Sequence, residues 1–552
     1  VSGDEARRAA YLTAYELFEA VQSEAHAQAL ARIPLARERA RRQDWPEVDL
    51  VLAGAAAVHD VSRPPSDLPL PPSAVTPLVE QAEAARLPAL LAVALGLRGL
   101  AAAATGDTRG LMSDTSRAVA LLDDELQPPL DRCTGLVVAA GVFNTLRLWE
   151  LVDALYGRAA DLGPSCDVPA MAAAIGVNRV LTRVEWAVGL LENGDEEQCL
   201  LRLRQALDAV PDALAQALPP LWRRDVEALG IVAGLLSGTP VADVAGQLTA
   251  VRASLEEDGD IEVLPLLDAA VAWSLWHSGS TEAAVEVANR LELVSSASSG
   301  ARSFPLWVRA QVLAAAEPSV AVRAQQDHAA MLSRLRWESR QAVLVAAQAQ
   351  IAAARRQAEH EGLSRAVRTD PLTGLDNRRT FDGWLDRGDS APLAATALLL
   401  VDLDDFKAVN DNHGHDYGDE VLRRLGRLLL ESVRPGDLAV RLGGDEFAVL
   451  LSGESLTADA ARTRAAELHT AISSEAWGEV SRGLAVSASI GLAVSDGSDQ
   501  GPDAAALYRA ADAALYAAKG NGGDEVVVAD DLDTGGRGAV TGPRSVPRSA
   551  WA

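Results

Sequence analysis

The 552-residue sequence carries 50 basic and 77 acidic side chains, a formal net charge of −27, and is 49% hydrophobic but only 4% aromatic. At roughly 150 residues per domain this length predicts several domains, each able to bury a core. The acidic balance argues against bulk binding to nucleic acid or anionic membranes, which need a basic footprint, and no uncharged stretch attains the ~18 apolar residues of a membrane span. From the N-terminus, residues 1–315 read as helix throughout, with apolar residues at three- and four-residue spacing, as in Tyr11, Tyr15, Leu17 and Phe18. Short turns punctuate the helices at Thr105-Gly106-Asp107, Asn193-Gly194-Asp195, Ser237-Gly238-Thr239 and Ser278-Gly279-Ser280. The last three glycines stand 44 and 41 residues apart, and Gly106 precedes Gly194 by 88, two such steps.

That regularity predicts helix hairpins stacked into an all-α helical-repeat solenoid, whose segments resemble degenerate tetratricopeptide repeats of longer period. Such a solenoid offers a surface to a peptide, protein or small-molecule ligand. Trp149, Trp186, Trp222, Trp273, Trp276 and Trp307 either line that surface or belong to the core. Cys133, Cys166 and Cys199 form no CxxC pair and read as buried, reduced thiols, which points to a cytoplasmic protein. Residues 316–368 read as one linker helix. Ala342, Val345, Ala349 and Ala352 recur at the spacing of a narrow coiled-coil seam, suited to pairing with a second copy.

After residue 369 the pattern changes to alternating strands and helices. Strands are predicted at 395–403, 439–442, 447–451, 484–494 and 525–528, and helices at 417–432, 458–474 and 503–519. The result is an α/β domain over 369–530 on a mostly antiparallel sheet. Residues 531–552, rich in Gly, Pro, Arg and Ser, read as a disordered tail.

Chemistry concentrates in this last domain. The hairpin Arg441-Leu-Gly-Gly-Asp-Glu-Phe447 joins two apolar strands through a turn suited to glycine and sets two carboxylates immediately after it. The strand 395–403 runs into Asp402-Leu-Asp-Asp-Phe-Lys-Ala-Val-Asn-Asp411. An acidic cluster at the end of a buried strand is a common way to hold Mg²⁺ for phosphoryl transfer. Asp402, still on the strand, is the better ligand candidate, while Asp404 or Asp405 suits the cap of the following helix. Of the 50 basic residues only Lys407 and Lys519 are lysines, and both fall in these motifs.

Together the residues resemble the GGDEF-domain diguanylate cyclases. The resemblance rests on Asp370-Pro-Leu-Thr-Gly-Leu-Asp-Asn-Arg-Arg379, on Asp402 to Asp411 with Gly414-His-Asp-Tyr-Gly-Asp419, on Gly443 to Phe447, and on Ala511-Asp-Ala-Ala-Leu-Tyr-Ala-Ala-Lys519. It covers about 365–530 and leaves the first 360 residues outside. It implies a palm-like fold akin to nucleotidyl cyclases, and condensation of two GTP into cyclic di-GMP with release of two pyrophosphates. It implies further that Asp402, Asp445 and the Leu403 carbonyl hold Mg²⁺, with Mn²⁺ as an alternative, and that Glu446 and Lys407 assist catalysis. Asn410 and Asp419 then read the guanine edge, and Phe406, Arg441, Gly443, Gly444 and Lys519 complete the GTP site. Arg434 and Asp437, an RxxD pair at the family's spacing, imply an inhibitory site for cyclic di-GMP, with Arg462 or Arg464 as its second arginine. One departure stands out: where the family carries an arginine after the closing lysine, this chain has Gly523.

Because one such domain carries half a site, the resemblance implies a homodimer controlled by the helical repeats. Two other readings compete: a non-catalytic receptor for cyclic di-GMP, and a scaffold whose repeats carry the main function.

Overall fold

The chain forms two units, Val1–Ala358 and Glu359–Ala552. The structure, a computed structural model, describes residues 3–22, 26–62, 68–166, 168–238, 263–291, 303–316, 319–388, 395–434, 436–453, 456–495 and 502–529, with 248, 251 and 253. The expected tail at 531–552 lies outside the described residues.

The first unit is built of helices: Gly3–Ala20 (α1), His26–Arg42 (α2), Pro46–Ser62 (α3), Thr76–Ala84 (α4), Pro88–Thr105 (α5), Thr108–Leu121 (α6), Pro129–Thr145 (α7), Trp149–Leu162 (α8), Pro169–Glu192 (α9), Glu196–Leu214 (α10), Pro220–Ser237 (α11), Val263–His277 (α12), Thr281–Arg290 (α13), Phe304–Ala316 (α14) and the start of Val320–Arg368 (α15). Proline opens α5, α7, α9 and α11, where its missing N–H has no intrahelical partner to lose. Successive helices pack in pairs, α5 on α6, α7 on α8, α9 on α10 and α12 on α13.

The four glycines picked out in the sequence all adopt left-handed backbone at helix ends, with φ of 80° at Gly106, 78° at Gly194, 68° at Gly238 and 84° at Gly279. Asp107 and Asp195 then cap α6 and α10 by accepting the N–H of Gly110 and Gln198. The step that the sequence left double contains one more turn of the same kind. Arg147 takes φ 57° between α7 and α8, 41 residues after Gly106 and 47 before Gly194. A left-handed arginine leaves no compositional mark, so the hairpin α7–α8 was hidden.

Two apolar cores fill this unit, one gathered from α1–α9 with part of α15 and the other from α8–α14. Trp149 and Trp186 are core residues, whereas Trp222, Trp273, Trp276 and Trp307 are half-buried against the second core, with Trp273 stacked on Trp307 at 5.2 Å. α5 leaves the expectation about uncharged spans standing, since Arg98 interrupts it. It is long and apolar enough to cross a membrane, yet 67% of it is buried inside the unit, and its Arg98 pairs with Asp114 at 2.6 Å.

α15 also departs from expectation, because its first part is integral to the helical unit. Leu344, Ala347 and Ile351 enter the first core. Arg340 donates to the Arg147 carbonyl at 2.6 Å, forks onto the Glu150 carboxylate, and lies over the rings of both Trp149 and Trp337, at 5.0 and 4.6 Å from their centroids. Arg355 reaches Asp123 at 2.7 Å. The stripe read as a coiled-coil seam faces elsewhere: Ala342, Val345 and Ala349 are exposed and Ala352 is half-buried. A linker in sequence is therefore the last helix of the domain before it.

The second unit holds a six-stranded sheet. Its elements run Asp376–Asn377 (β1), Arg378–Gly388 (α16), Thr396–Leu403 (β2), Phe406–His413 (α17), His415–Glu431 (α18), Leu438–Gly443 (β3), Glu446–Ser452 (β4), Ala458–Ser474 (α19), Ala488–Ser495 (β5), Ala504–Gly520 (α20) and Val526–Val528 (β6). Strand order is β1-β3-β4-β2-β5-β6. The central pairings are antiparallel, and the short edge pairs β1–β3 and β5–β6 are parallel. β1 and α16 escaped the sequence reading, and β5 begins four residues later than predicted.

β2 is buried along its whole length because helices cover both faces of the sheet. Ala397, Leu399, Val401 and Leu403 join the core that contains α18 and α19 residues, and Leu398 and Leu400 join the one that contains α20 residues. Gly491 on β5 lies so close under α20 that a Cβ there would meet the Ala511 carbonyl oxygen at 2.2 Å. This seating fixes where α20, and Lys519 near its end, leave the sheet.

Candidate active site

The β3–β4 hairpin turns on Gly443 and Gly444, at φ 150° and 54°, with a register irregularity between Arg441 and Gly443. Both values lie where side-chain-bearing residues are strained, so the two glycines are demanded by the backbone itself. The turn is braced from behind. Arg441 donates to the Gly444 carbonyl from Nε and Nη2, at 3.1 and 2.8 Å, and pairs through Nη1 with Asp370 at 3.1 Å. Asp370 also accepts from the Thr373 N–H and hydroxyl. These bonds hold the Asp370 carboxyl below the usual range against the opposing cost of its burial. Arg441, expected at the substrate, is thus engaged in holding the turn, and the opening motif of the domain supplies its counter-charge.

Asp402 stands at the end of β2, directly opposite Glu446 of β4 and Ser489 of β5. Its neighbour Leu403 donates its N–H to the Asp445 carbonyl at 3.4 Å, which brings the end of β2 to the hairpin turn. The Asp402 side chain is only 8% exposed and meets the Lys519 ammonium at 2.7 Å. Burial pushes its carboxyl above the ordinary range, Lys519 pulls it back, and Asp445 and Glu446 push it up again. Strand pairing has therefore gathered three carboxylates, one of them buried, with one ammonium among them.

Asp404 has a different task. It accepts hydrogen bonds from the hydroxyls of Ser487 and Ser489, at 2.9 and 2.6 Å, and from the Asp524 N–H at 2.9 Å. The loop after Lys519 is tied to the sheet in this way, and Gly523, at φ 81°, passes so close that a Cβ would lie 2.9 Å from an Asp404 oxygen. The glycine at the family's arginine position is required by this approach. Asp405 occupies the N-cap position of α17 at φ 50°, but its side chain makes no cap bond. The sequence contained no signal for Ser487 or Ser489 beyond their place at the start of a strand.

Beyond Asp405, α17 turns back to α18. The Asn410 side-chain oxygen would be 2.0 Å from a Cβ at Gly418, and the Phe406 ring 3.3 Å from it, so both side chains lean over the first turn of α18. Asp419 follows there, half-buried, and Lys407 is exposed one turn before Asn410. Fold and motif agree in placing Phe406, Asn410 and Asp419 about one helix junction.

Arg434 and Asp437 lie at the start of β3. Asp437 is nearly buried, its side chain 4% exposed, and it accepts from the backbone N–H groups of Ser452 and Arg434. Arg434 is 55% exposed and donates to the Ser452 carbonyl at 3.0 Å. Of this pair the arginine is presented to solvent, while the aspartate shapes the turn. Arg462 pairs with Asp459 and Arg464 with Glu467 on α19.

Among the described residues no three His, Cys, Asp or Glu side chains converge as a ready-made metal cage. The donor set nonetheless fits Mg²⁺, which favours hard oxygen ligands and typically uses one or two carboxylates beside substrate phosphates. The mutual repulsion written into Asp402 by Asp445 and Glu446 is what a bound cation relieves.

Comparison with known proteins bears on the same segment. Residues 367–525 match the family described as "Diguanylate cyclase, GGDEF domain". The response regulator PleD of Caulobacter vibrioides is 40% identical over 168 residues, 29% of this chain and 35% of that protein. Diguanylate cyclase DgcM of Escherichia coli is 37% identical over 172 residues, 31% of this chain and 40% of that protein. The chain thus spans little more than a third of the length of these relatives. The solved coiled coil and GGDEF domain of DgcB from Caulobacter crescentus, in complex with c-di-GMP, is 30% identical and covers 34% of this chain and 98% of its own, at a TM-score of 0.29. Residues 367–525 are thus a GGDEF domain.

Proposed function

We propose that the chain is a diguanylate cyclase that condenses two GTP into cyclic di-GMP. Each 3′-hydroxyl attacks the α-phosphate of the other GTP, and each attack expels pyrophosphate. The family match and the relatives that bear this activity in their names support the reading. The observation that carries it is the meeting of Asp402 with the Asp445-Glu446 turn beside Lys519.

In this reading Asp402, Asp445 and the Leu403 carbonyl would hold Mg²⁺, with Mn²⁺ as a substitute, and the chemistry it would supply there is Lewis-acid stabilisation of the phosphate and leaving-group charge. Asp445 and Glu446 are the carboxylates nearest the hydroxyl that must lose its proton. Asp419 accepts from guanine N1–H and N2–H₂, a donor pair that adenine lacks, and Asn410 completes the guanine edge. Lys407, Lys519 and the backbone at Phe406 neutralise and cradle the triphosphate, with Gly443 and Gly444 letting it approach the turn. Lys519 now lies on Asp402, so its ammonium is already at the place where negative charge enters. Arg441 acts from behind the turn.

Product inhibition is assigned to Arg434, with Asp437 orienting it. Two domains must meet face to face, and the exposed α15 stripe of Ala342, Val345 and Ala349 offers a seam for a homodimer. The helical repeats, tetratricopeptide-like in their pairing, sense a ligand and act through α15, in the cytoplasm.

The test is incubation of the purified protein with GTP and Mg²⁺, with chromatographic separation of products and Asp445→Ala alongside. Cyclic di-GMP from the wild type and none from the variant is the expected result. Tight binding of added cyclic di-GMP without synthesis, from either full-length protein or the isolated second unit, would replace the enzyme with a receptor.

A further inference from the structure

Backbone of an uncommon kind follows α20. Gly522, Gly523 and Asp524 take φ of 116°, 81° and 55°, successive residues in the half of backbone space that side chains avoid, and the last of them is not glycine. Such a run costs conformational energy and persists only where its surroundings over-determine it. The N–H groups of Gly522 and Gly523 return to the carbonyls of Lys519 and Ala518, at 3.3 and 3.1 Å, so the turn closes on the residue that carries the site's ammonium. The next N–H, of Asp524, goes to the Asp404 carboxylate at 2.9 Å. Asp404 is itself fixed: the hydroxyls of Ser487 and Ser489 donate to it at 2.9 and 2.6 Å, and its own N–H reaches the Ser487 carbonyl at 3.0 Å. A second tie comes from His469 of α19, whose Nε2 lies 3.0 Å from the Asp524 carboxylate.

We infer that Asp404 is a positioning residue for the proposed cyclase reaction, an inference that rests on that reading, and that it acts through Lys519. Asp402 and Asp404 stand two residues apart at the end of β2. One meets the Lys519 ammonium at 2.7 Å, and the other holds the turn to which the Lys519 backbone is hydrogen-bonded. Both ends of this lysine are therefore referred to the same short stretch of chain. Its side chain is 45% exposed, and a lysine stem has wide rotamer freedom. Fixing the backbone beneath it leaves less of that freedom to lose when the ammonium engages a triphosphate.

The experiment uses the full-length protein and its only two lysines, Lys407 and Lys519. Brief acylation with an amine-reactive N-hydroxysuccinimide ester, resolved by residue in a mass spectrometer, gives the labelling of Lys519 with Lys407 as internal reference. Asp404→Ala should raise that ratio about threefold, the worth of a surface ion pair. Asp404→Asn, which keeps an acceptor for the Asp524 N–H, should stay near the wild-type ratio. Kinetics should follow the same order. In Asp404→Ala the KM for GTP should rise roughly tenfold, the scale of losing one charged hydrogen bond, with kcat lowered less than about threefold. Asp404→Asn should recover both. A merely structural role would lower the folded fraction, and with it kcat, while leaving KM alone. Lys519→Met should raise KM at least as much, and its combination with Asp404→Ala should add nothing further, because both changes act on one ammonium.

Wild-type labelling and KM in Asp404→Ala would overturn the inference, as would additive effects in the double variant. Should Asp404→Ala fail to fold, Ser489→Ala removes the shortest bond to the carboxylate, and its labelling ratio should rise by a smaller factor; an unchanged ratio there is equally fatal. A wild type that makes no cyclic di-GMP would refute the cyclase reading instead, and the labelling ratio would still decide whether Asp404 sets Lys519.

Discussion

The two units encode their structures differently. In the second, the residues that matter lie within a few positions of one another in each motif, at strand ends and turns where backbone geometry leaves little choice. In the first, the ties that define the architecture cross long stretches of sequence. Tyr11 and Tyr15 donate to Asp131 of α7, across 120 and 116 residues, and Arg340 reaches Glu150 across 190. Burial raises the Asp131 carboxyl while the two tyrosine hydroxyls pull it down. Chemistry constrains local sequence in the one case, and in the other packing constrains only polarity and volume, which many sequences satisfy.

The sharpest way to break this contrast is to change chemistry without changing structure. Asp402→Asn should lower cyclic di-GMP synthesis by roughly 10³-fold or more, the scale of losing a key electrostatic group. Its second unit should melt no lower than that of the wild type, since burial already disfavours the Asp402 charge. A collapse of the fold together with activity would make the carboxylate structural, as Asp404 is.

Next in size is the clamp on α15. Arg340→Ala removes a nearly buried ion pair, the bond to the Arg147 carbonyl and the packing over two indoles. A loss of about 3 kcal/mol is expected, because Glu150 is left without its partner. Denaturant titration should show it in the first unit alone.

A comparable effect is expected from pH. Glu19 is buried in α1, and burial pushes its carboxyl up to about 7 from an ordinary value near 4.5. A carboxyl raised in the fold is bound by a proton that the unfolded chain releases. Its favourable contribution is complete below about pH 4.5 and is lost as pH rises to about 7, a difference of about 3 kcal/mol. Melting of the first unit at pH 5 and pH 8 should reveal the slope, and Glu19→Gln should flatten it by raising stability at pH 8.

The smallest effect tests the turns. Gly106→Ala should cost about 1 kcal/mol by forcing a side chain into left-handed backbone, while Arg147→Gly should gain up to about 1 kcal/mol by relieving it. Equal responses at both sites would mean that Arg147 does not play the part of the missing glycine. The contrast between units would then hold even for turns, the most local feature of the first.

Much of the site was legible because its residue types and spacings are dictated by the backbone. Gly443 and Gly444 answer a tight hairpin, Asp402 ends a strand that alternates between two cores, and Asn410 and Gly418 fit each other across a helix junction. Other parts were out of reach for a definite reason. Arg441 reads equally well as a phosphate ligand or a brace, and only its approach to Asp370 and the Gly444 carbonyl decides between them. Gly523 reads as a lost contact until Asp404 is found against its backbone. The α15 seam was visible as a stripe, but the opposite face, with Arg340, Leu344, Ala347 and Ile351, carries the helix into the first unit.

By itself the sequence determined the helical and α/β halves, most of the hairpin turns, and the motifs at the end of β2 and the start of β4. These follow from periodicity, from positive φ at glycine and from the fixed alternation of a strand, all of which act over a few residues. The tertiary structure alone decided that Asp404 binds a loop while Asp402 lies beside Lys519, and that α15 belongs to the helical unit. Each of those outcomes is a meeting of side chains distant in sequence, settled by which faces bury together when the chain closes on itself.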